Sequence, residues 1–172
     1  QGEILTSVLH SDIEKIKLTM EAIDHESFEL AVDTILHAKK IYVIGIRSCA
    51  PLASFLGFYL NLICEDVTAV NTNSSSEIFE QLIRKAKVIT LTDSVHSPMT
   101  LYSSCNLIAR SDMASIVDSL VAPLSVVNAL VVALCMKKQK EVISTLETLE
   151  QIWDEYQVYS KDELNMVDNK VE

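Results

Sequence analysis

The expected fold is α/β, built on a parallel sheet, and three features of the chain lead to it. Short β-branched apolar runs, of which KIYVIGI (Lys40–Ile46) is the clearest, alternate with segments whose apolar residues recur every three or four positions. That leading run is apolar almost throughout, the pattern of a strand covered on both faces. Strand–helix–strand order also requires crossover connections, which join parallel strands rather than hairpin neighbours.

Residues 1–38, approximately, form a helical preface. Leu5, Leu9, Ile13, Ile16, Met20 and Ile23 repeat at spacings of four and three, one apolar stripe on a helix. Asp24 suits an N-cap, and Phe28, Ala31, Val32 and Ile35 share one face of a second helix. An α/β core follows over about 39–136. KIYVIGI is its first strand, and Ser48–Ile63 reads as a helix. DVTAVN (Asp66–Asn71) is a second strand, and Ser76–Arg84 a further helix. AKVITLTDS (Ala86–Ser94) and CNLIAR (Cys105–Arg110) complete the strands. The run LVAPLSVVNALVVALC (Leu120–Cys135) is short for a membrane span and contains Pro123, Ser125 and Asn128, so a buried helix is expected. A C-terminal helix over about 139–160 carries Val142, Leu146, Leu149, Trp153 and Tyr156 at spacings of four and three. No low-complexity linker interrupts the 172 residues, which read as a single domain.

Charge and cysteine usage exclude several functions. The chain has 24 acidic against 14 basic residues and a net charge of −10, so it assembles no basic stripe to neutralise phosphates of a nucleic acid by itself. A hydrophobic fraction of 49% argues against disorder. Cys49, Cys64, Cys105 and Cys135 include no C-x-x-C pair and read as free thiols of a reducing compartment. His10, His25, His37 and His96 are equally scattered, so no metal site is expected. No signal peptide is read at the start of the chain.

Ligands of parallel α/β sheets sit beyond the carboxyl ends of the strands. Here those ends are Gly45–Pro51, Asn71–Glu77 and Thr92–Pro98. They hold Ser48, Ser74, Ser75, Ser76, Ser94 and Ser97, with Asn71, Thr72, Asn73 and Thr92. Hydroxyls and amides at helix N-termini suit an anion, since backbone N–H groups and the helix dipole already point there. Pro51 fits a helix's first turn. The competing reading is that these serines are caps and turn residues, and that Arg47 is simply solvated.

Three segments carry a family resemblance: IYVIGIRSCAPLASFLGFYLNL (Ile41–Leu62), VNTNSSSEIFEQL (Val70–Leu82) and VITLTDSVHSPM (Val88–Met99). They resemble the sugar-isomerase (SIS) domain, most of all the effector domain of RpiR-type transcriptional regulators, over about Phe28–Met136. The pattern TDSxxSP at Thr92–Pro98 is the most specific part. The resemblance implies a three-layer α/β/α sandwich of flavodoxin-like type, a phosphorylated sugar as effector, no cofactor, a homodimer and a cytoplasmic bacterial regulator with no membrane contact. Such regulators reach DNA through an N-terminal helix-turn-helix domain. The acidic preface helix lacks a recognition-helix pattern, so the chain reads as the effector module alone.

Two departures from the family pattern bear on the site. Many SIS domains carry Gly-x-Gly-x-Ser at the first turn. Aligned from Gly45, the second glycine falls on Arg47 and the serine on Cys49. Ser48 stands beside the expected position and is the better anion ligand, because a neutral thiol is a weak donor. The family also has a strand–loop–helix unit before the strand matching AKVITLTDS. Here EQLIR runs directly into KAKVITL, so a segment is expected to be missing between Arg84 and Lys85, or else deleted with rearrangement of the sheet.

The expected ligand set is therefore Arg47, Ser48, Ser94 and Ser97, with Cys49, Ser75 and Glu77 second and no catalytic residues. The alternative is an aldose–ketose isomerase, which needs a base to move a proton between sugar carbons; Glu77 and His96 are its candidates. The two terminal stripes extend beyond what one side of a small sheet requires. They are expected either to cross to a partner subunit or to pack on each other within the chain.

Overall fold

A computed structural model describes residues 2–70, 76–112 and 117–155, with the backbone alone for 76–79, 81 and 152–155. Helices α1 (Gly2–Ala22) and α2 (His25–Leu36) lead into strand β1 (Ile41–Ile44). The Asp24 carboxylate accepts the Ser27 N–H at 3.0 Å, which caps α2 as expected. The bonds from Ser27 also hold that carboxyl below its usual pKa. A 3₁₀ turn (Arg47–Cys49) follows β1, then α3 (Ala50–Ile63), β2 (Val67–Val70), α4 (Ser76–Lys85) and β3 (Ile89–Thr92). A second 3₁₀ turn (Pro98–Leu101), β4 (Cys105–Ile108), α5 (Val121–Lys137) and α6 (Gln139–Glu155) complete the order. Tyr156, the last member of the C-terminal stripe, lies outside the described residues.

All four strands pair in parallel, as the crossovers require. They form two ribbons of two strands rather than one sheet. Ile41 lies opposite Val67 through Ile44 opposite Val70 in the first; Ile89 lies opposite Cys105 through Thr92 opposite Ile108 in the second. Among the described residues no ladder joins β1 to β3. Helix α4 runs unbroken across Arg84 and Lys85, with the Ala86 N–H donating to Leu82 O at 3.0 Å.

Helix α5 unites the ribbons. Ala122, Pro123, Val126, Val127, Leu130, Val131 and Leu134 are buried along one half of the helix, and Val121, Asn128, Val132 and Met136 are exposed on the other. It packs against α1, α2, α3 and α6, while α3 lies on β1 and β2 and α2 lies on β4. Val32, Ile35, Val43, Leu60, Ile63, Cys105 and Leu107 join it in one core. The expectation that the first strand is covered on both faces fails. Tyr42 is exposed beneath the Lys40 ammonium, 5.3 Å from the ring centroid, because α3 covers one face of a ribbon only two strands wide.

Helix α1 is oriented against its own amphipathy. Leu5, Leu9, Ile13, Ile16 and Met20 are exposed, whereas Lys15 and Thr19 are each 5% exposed. Its polar flank is the one bonded to the body. Thr19 Oγ1 accepts the Arg110 N–H at 2.9 Å, and Ser119 Oγ donates to Asp12 Oδ1 at 2.6 Å. Lys15 donates to Ser11 Oγ at 3.0 Å and pairs with Asp12 at 3.6 Å. Both terminal helices lie on α5, and α6 lies on α3 as well. No single helix among the described residues is long and apolar enough to cross a membrane; α5 and α6 qualify only together, and they meet at 97°.

Leu134 is fully buried in α5. Leu134→Ala is expected to lower stability by about 2–5 kcal/mol, the range for emptying a leucine site in a core, read from urea denaturation. A loss of a few tenths of a kcal/mol would place α5 outside the core.

Candidate functional site

The turn after β1 is set by two backbone constraints. A Cβ on Gly45 would stand 2.5 Å from the Cys49 carbonyl oxygen, 2.7 Å from the Ala53 Cβ and 2.8 Å from the Ala50 Cα. Only glycine lets the strand end close on the start of α3 in this way. Two residues later Arg47 has φ of 52°, in the left-handed region. This is the position at which a second glycine was expected from the resemblance, and the backbone still adopts the shape that glycine suits. The Cys49 N–H then donates to Ile46 O at 3.1 Å, and Pro51 occupies the first turn of α3.

Among the described residues no side chain caps α3. Ser48, whose competing reading was a cap, instead donates from Oγ to Asp118 Oδ2 at 2.8 Å, across 70 residues of sequence. Ser48, Arg47 and Cys49 are all exposed. Arg47 makes no ion pair among the described residues, whereas the Arg110 guanidinium is taken up by Asp112 at 3.0 Å.

The turn after β3 is different. Ser94 Oγ accepts the His96 N–H at 3.1 Å, and Ser94 O accepts the Ser97 N–H at 3.1 Å. Ser94 is thus the ordinary turn serine of the competing reading. Ser97 precedes the 3₁₀ turn, and its hydroxyl makes no capping bond. Asp93 accepts from Ser111 Oγ at 3.2 Å and from Thr92 Oγ1 at 3.4 Å. His96 is exposed.

Arg47, Ser48 and Cys49 therefore share one turn, and Ser94 and Ser97 share another. Among the described residues no hydrogen bond joins the two turns. Ser75 lies outside the described residues, as does the side chain of Glu77. Asp118 and Ser119 were missed as functional candidates. An Asp-Ser pair just before an apolar run has the look of a helix cap, yet the N-cap of α5 is Leu120, with no side-chain cap among the described residues.

A cavity of about 290 Å³ opens elsewhere, at the amino ends of β1 and β2, between Ile35, Lys39, Cys64, Glu65 and Lys138. Burial pushes the Cys64 thiol up, against the opposing pull of Lys138, so it stays protonated there. None of the candidate ligand residues lines it. Among the described residues no group of His, Cys, Asp or Glu is placed to hold a metal ion.

Comparison with known proteins gives a consistent fold. Residues 71–133 match the SIS domain family model. No curated protein sequence matches the chain. The sugar isomerase domain of the RpiR transcription factor from Sphaerobacter thermophilus is 22% identical, with a TM-score of 0.80 over 87% of this chain and 99% of that one. The Vibrio vulnificus NanR protein complexed with ManNAc-6P is 21% identical, with a TM-score of 0.74 over 88% and 69%. A candidate sugar-phosphate isomerase from Listeria monocytogenes is 14% identical, with a TM-score of 0.61 over 97% of each chain. At these identities the structural likeness establishes the fold and leaves the ligand to be argued from the site.

Gly45→Ala is expected to cost about 1–3 kcal/mol through overpacking. Arg47→Gly is expected to melt no lower than the parent, since relief of the left-handed backbone offsets glycine's extra freedom when unfolded. Thermal denaturation of both variants reads this contrast. Equal melting of Gly45→Ala and parent would mean that the strand end and α3 are not in contact.

Proposed function

We propose that this chain, which has the SIS-domain fold, is the phosphosugar-sensing and pairing unit of a bacterial RpiR-type transcriptional regulator. The observation that carries the reading is the turn after β1. It presents an uncapped start of α3, the Ser48 hydroxyl and an Arg47 guanidinium with no carboxylate partner among the described residues. Together these are the donors and the charge that a phosphate monoester requires. Ser97, Ser94 and Cys49 would supply further contacts, with Ser75 and Glu77 in the loop after β2. The regulators among the structural neighbours, one of them described as complexed with ManNAc-6P, support a phosphosugar as the class of effector.

An isomerase is the less supported reading. A catalytic base is held by a hydrogen-bonding partner that fixes its orientation. The His96 ring has none among the described residues. Turnover of fructose 6-phosphate by the purified protein would reverse this preference.

The exposed stripe of α1 supports pairing. Leu5, Leu9, Ile13, Ile16 and Met20 form an apolar face that a second copy would bury about a two-fold axis. The assembly would work in the cytoplasm, and DNA would be reached through a helix-turn-helix unit on the same polypeptide. The division into two ribbons supports a further part of the proposal: the natural polypeptide carries a segment of about one βα unit, roughly 30 residues for a complete βαβ motif, between Arg84 and Lys85.

Phosphosugars are expected to raise the melting temperature, because a ligand of the folded state stabilises it. Ser48→Ala should weaken that binding by about 1 kcal/mol or somewhat more, with little change in the unliganded melt. Unchanged affinity by calorimetry would remove Ser48 from the ligand contacts. Peptide mapping of the natural polypeptide should recover additional residues between Arg84 and Lys85, and native mass spectrometry an assembly of twice the protomer mass. A peptide running directly from Arg84 into Lys85 would overturn the extra segment, and a monomer would overturn the pairing.

A further inference from the structure

Ser48 cannot serve an incoming anion while its proton is held by a carboxylate. Its hydroxyl donates to Asp118 Oδ2 at 2.8 Å, a bond strengthened by the acceptor's charge. A phosphate arriving at the same hydroxyl would stand within a few ångströms of Asp118, and two anions at that separation repel. One of them has to leave.

Asp118 is not an isolated surface group. It is half-buried immediately before α5, and the next residue faces the opposite partner. Ser119 Oγ donates to Asp12 Oδ1 at 2.6 Å, and Asp12 pairs with the Lys15 ammonium at 3.6 Å. Lys15 is 5% exposed, so its charge is costly to leave without Asp12. One peptide unit therefore separates the hydroxyl bond at the candidate anion site from the buried polar flank of α1. A displacement of the Asp118 backbone strains the Ser119–Asp12 bond, and because Asp12 is held within α1 by its pairing with Lys15, that strain is carried to the helix.

We propose that the Asp118 carboxylate is a built-in competitor for the phosphate monoester at Ser48, and that its displacement is passed through Ser119 and Asp12 to α1. The inference rests on the reading of the turn after β1 as an anion site. It adds a means by which an occupied site shifts the helix that carries the outward apolar stripe. The coupling is reciprocal, so a partner that fixes α1 in its displaced position would also raise affinity for the anion.

The test uses inorganic phosphate and N-acetylmannosamine 6-phosphate as probes, with calorimetry for affinity and amide hydrogen exchange across residues 2–22 for the response of α1. Asp118→Asn keeps the shape and removes the charge, and Asp118→Ala removes the competitor. Both should bind the probes about ten-fold more tightly than the parent, the scale of one hydrogen bond to a charged group. Circular dichroism melts establish that each variant is folded, and agreement between the two separates charge from shape. In the parent, saturating probe should change exchange across α1. In Ser119→Ala the affinity should stay within about two-fold, while that change is lost. Equal affinity in the parent and both Asp118 variants overturns the competitor. An undiminished α1 response in Ser119→Ala overturns the route. Absence of binding by every variant overturns the anion reading of the turn, and the competitor role with it.

Discussion

Helix α5 buries a broad apolar half at the centre of the fold, and the rest of the structure is arranged around it. Ala122, Val126, Val127, Leu130, Val131 and Leu134 are buried over one half of its surface, and α1, α2, α3 and α6 each lie against it. The consequence reaches the strands. Neither two-stranded ribbon would be independently stable in water. Each is held through a helix that itself lies on α5, α3 for the first ribbon and α2 for the second. The parallel strands thus keep their places largely through helices that share one core with α5.

The same arrangement puts the candidate site where strand ends meet helix starts. Gly45 allows the approach, and the left-handed Arg47 turns the chain so that Ser48 faces the segment entering α5. The surroundings are rich in carboxylates. Asp93, Asp112 and Asp118 all accept hydrogen bonds near strand ends or the start of α5. In a chain of net charge −10, an anionic ligand depends on local donors rather than on the protein's general field. That dependence makes the few groups at the turn after β1 decisive.

Much of this was legible in the sequence, and what was not has a common cause. The elements could be read because periodicity is local: the α1 stripe, the Asp24 cap, Pro51 in the first turn of α3 and the apolar runs of all four strands lie within a few positions of the expected bounds. The outward orientation of α1 was not legible. Spacing shows that a helix has two faces, but which face is buried depends on the partners that Asp12, Lys15 and Thr19 find in distant segments. Division into two ribbons is likewise a matter of long-range pairing. At the site, Ser48 could be named as a donor, but the acceptor 70 residues away could not, because Asp118 and Ser119 carry the local signature of a cap.

Without the βα unit proposed between Arg84 and Lys85, every described strand is an edge strand. An edge exposes a row of unpaired N–H and C=O groups that another chain can continue by strand addition. The safeguards are modest and visible. Each strand is four residues long, too short to template much, and lysines stand beside two of the apolar runs, Lys39 and Lys40 before β1 and Lys87 before β3. Such flanking charges act as gatekeepers against aggregation. In a chain lacking that unit, colloidal behaviour at high concentration would depend on a handful of lysines as much as on the core, and neutralising them would expose the cost of a divided sheet before any loss of folding showed it.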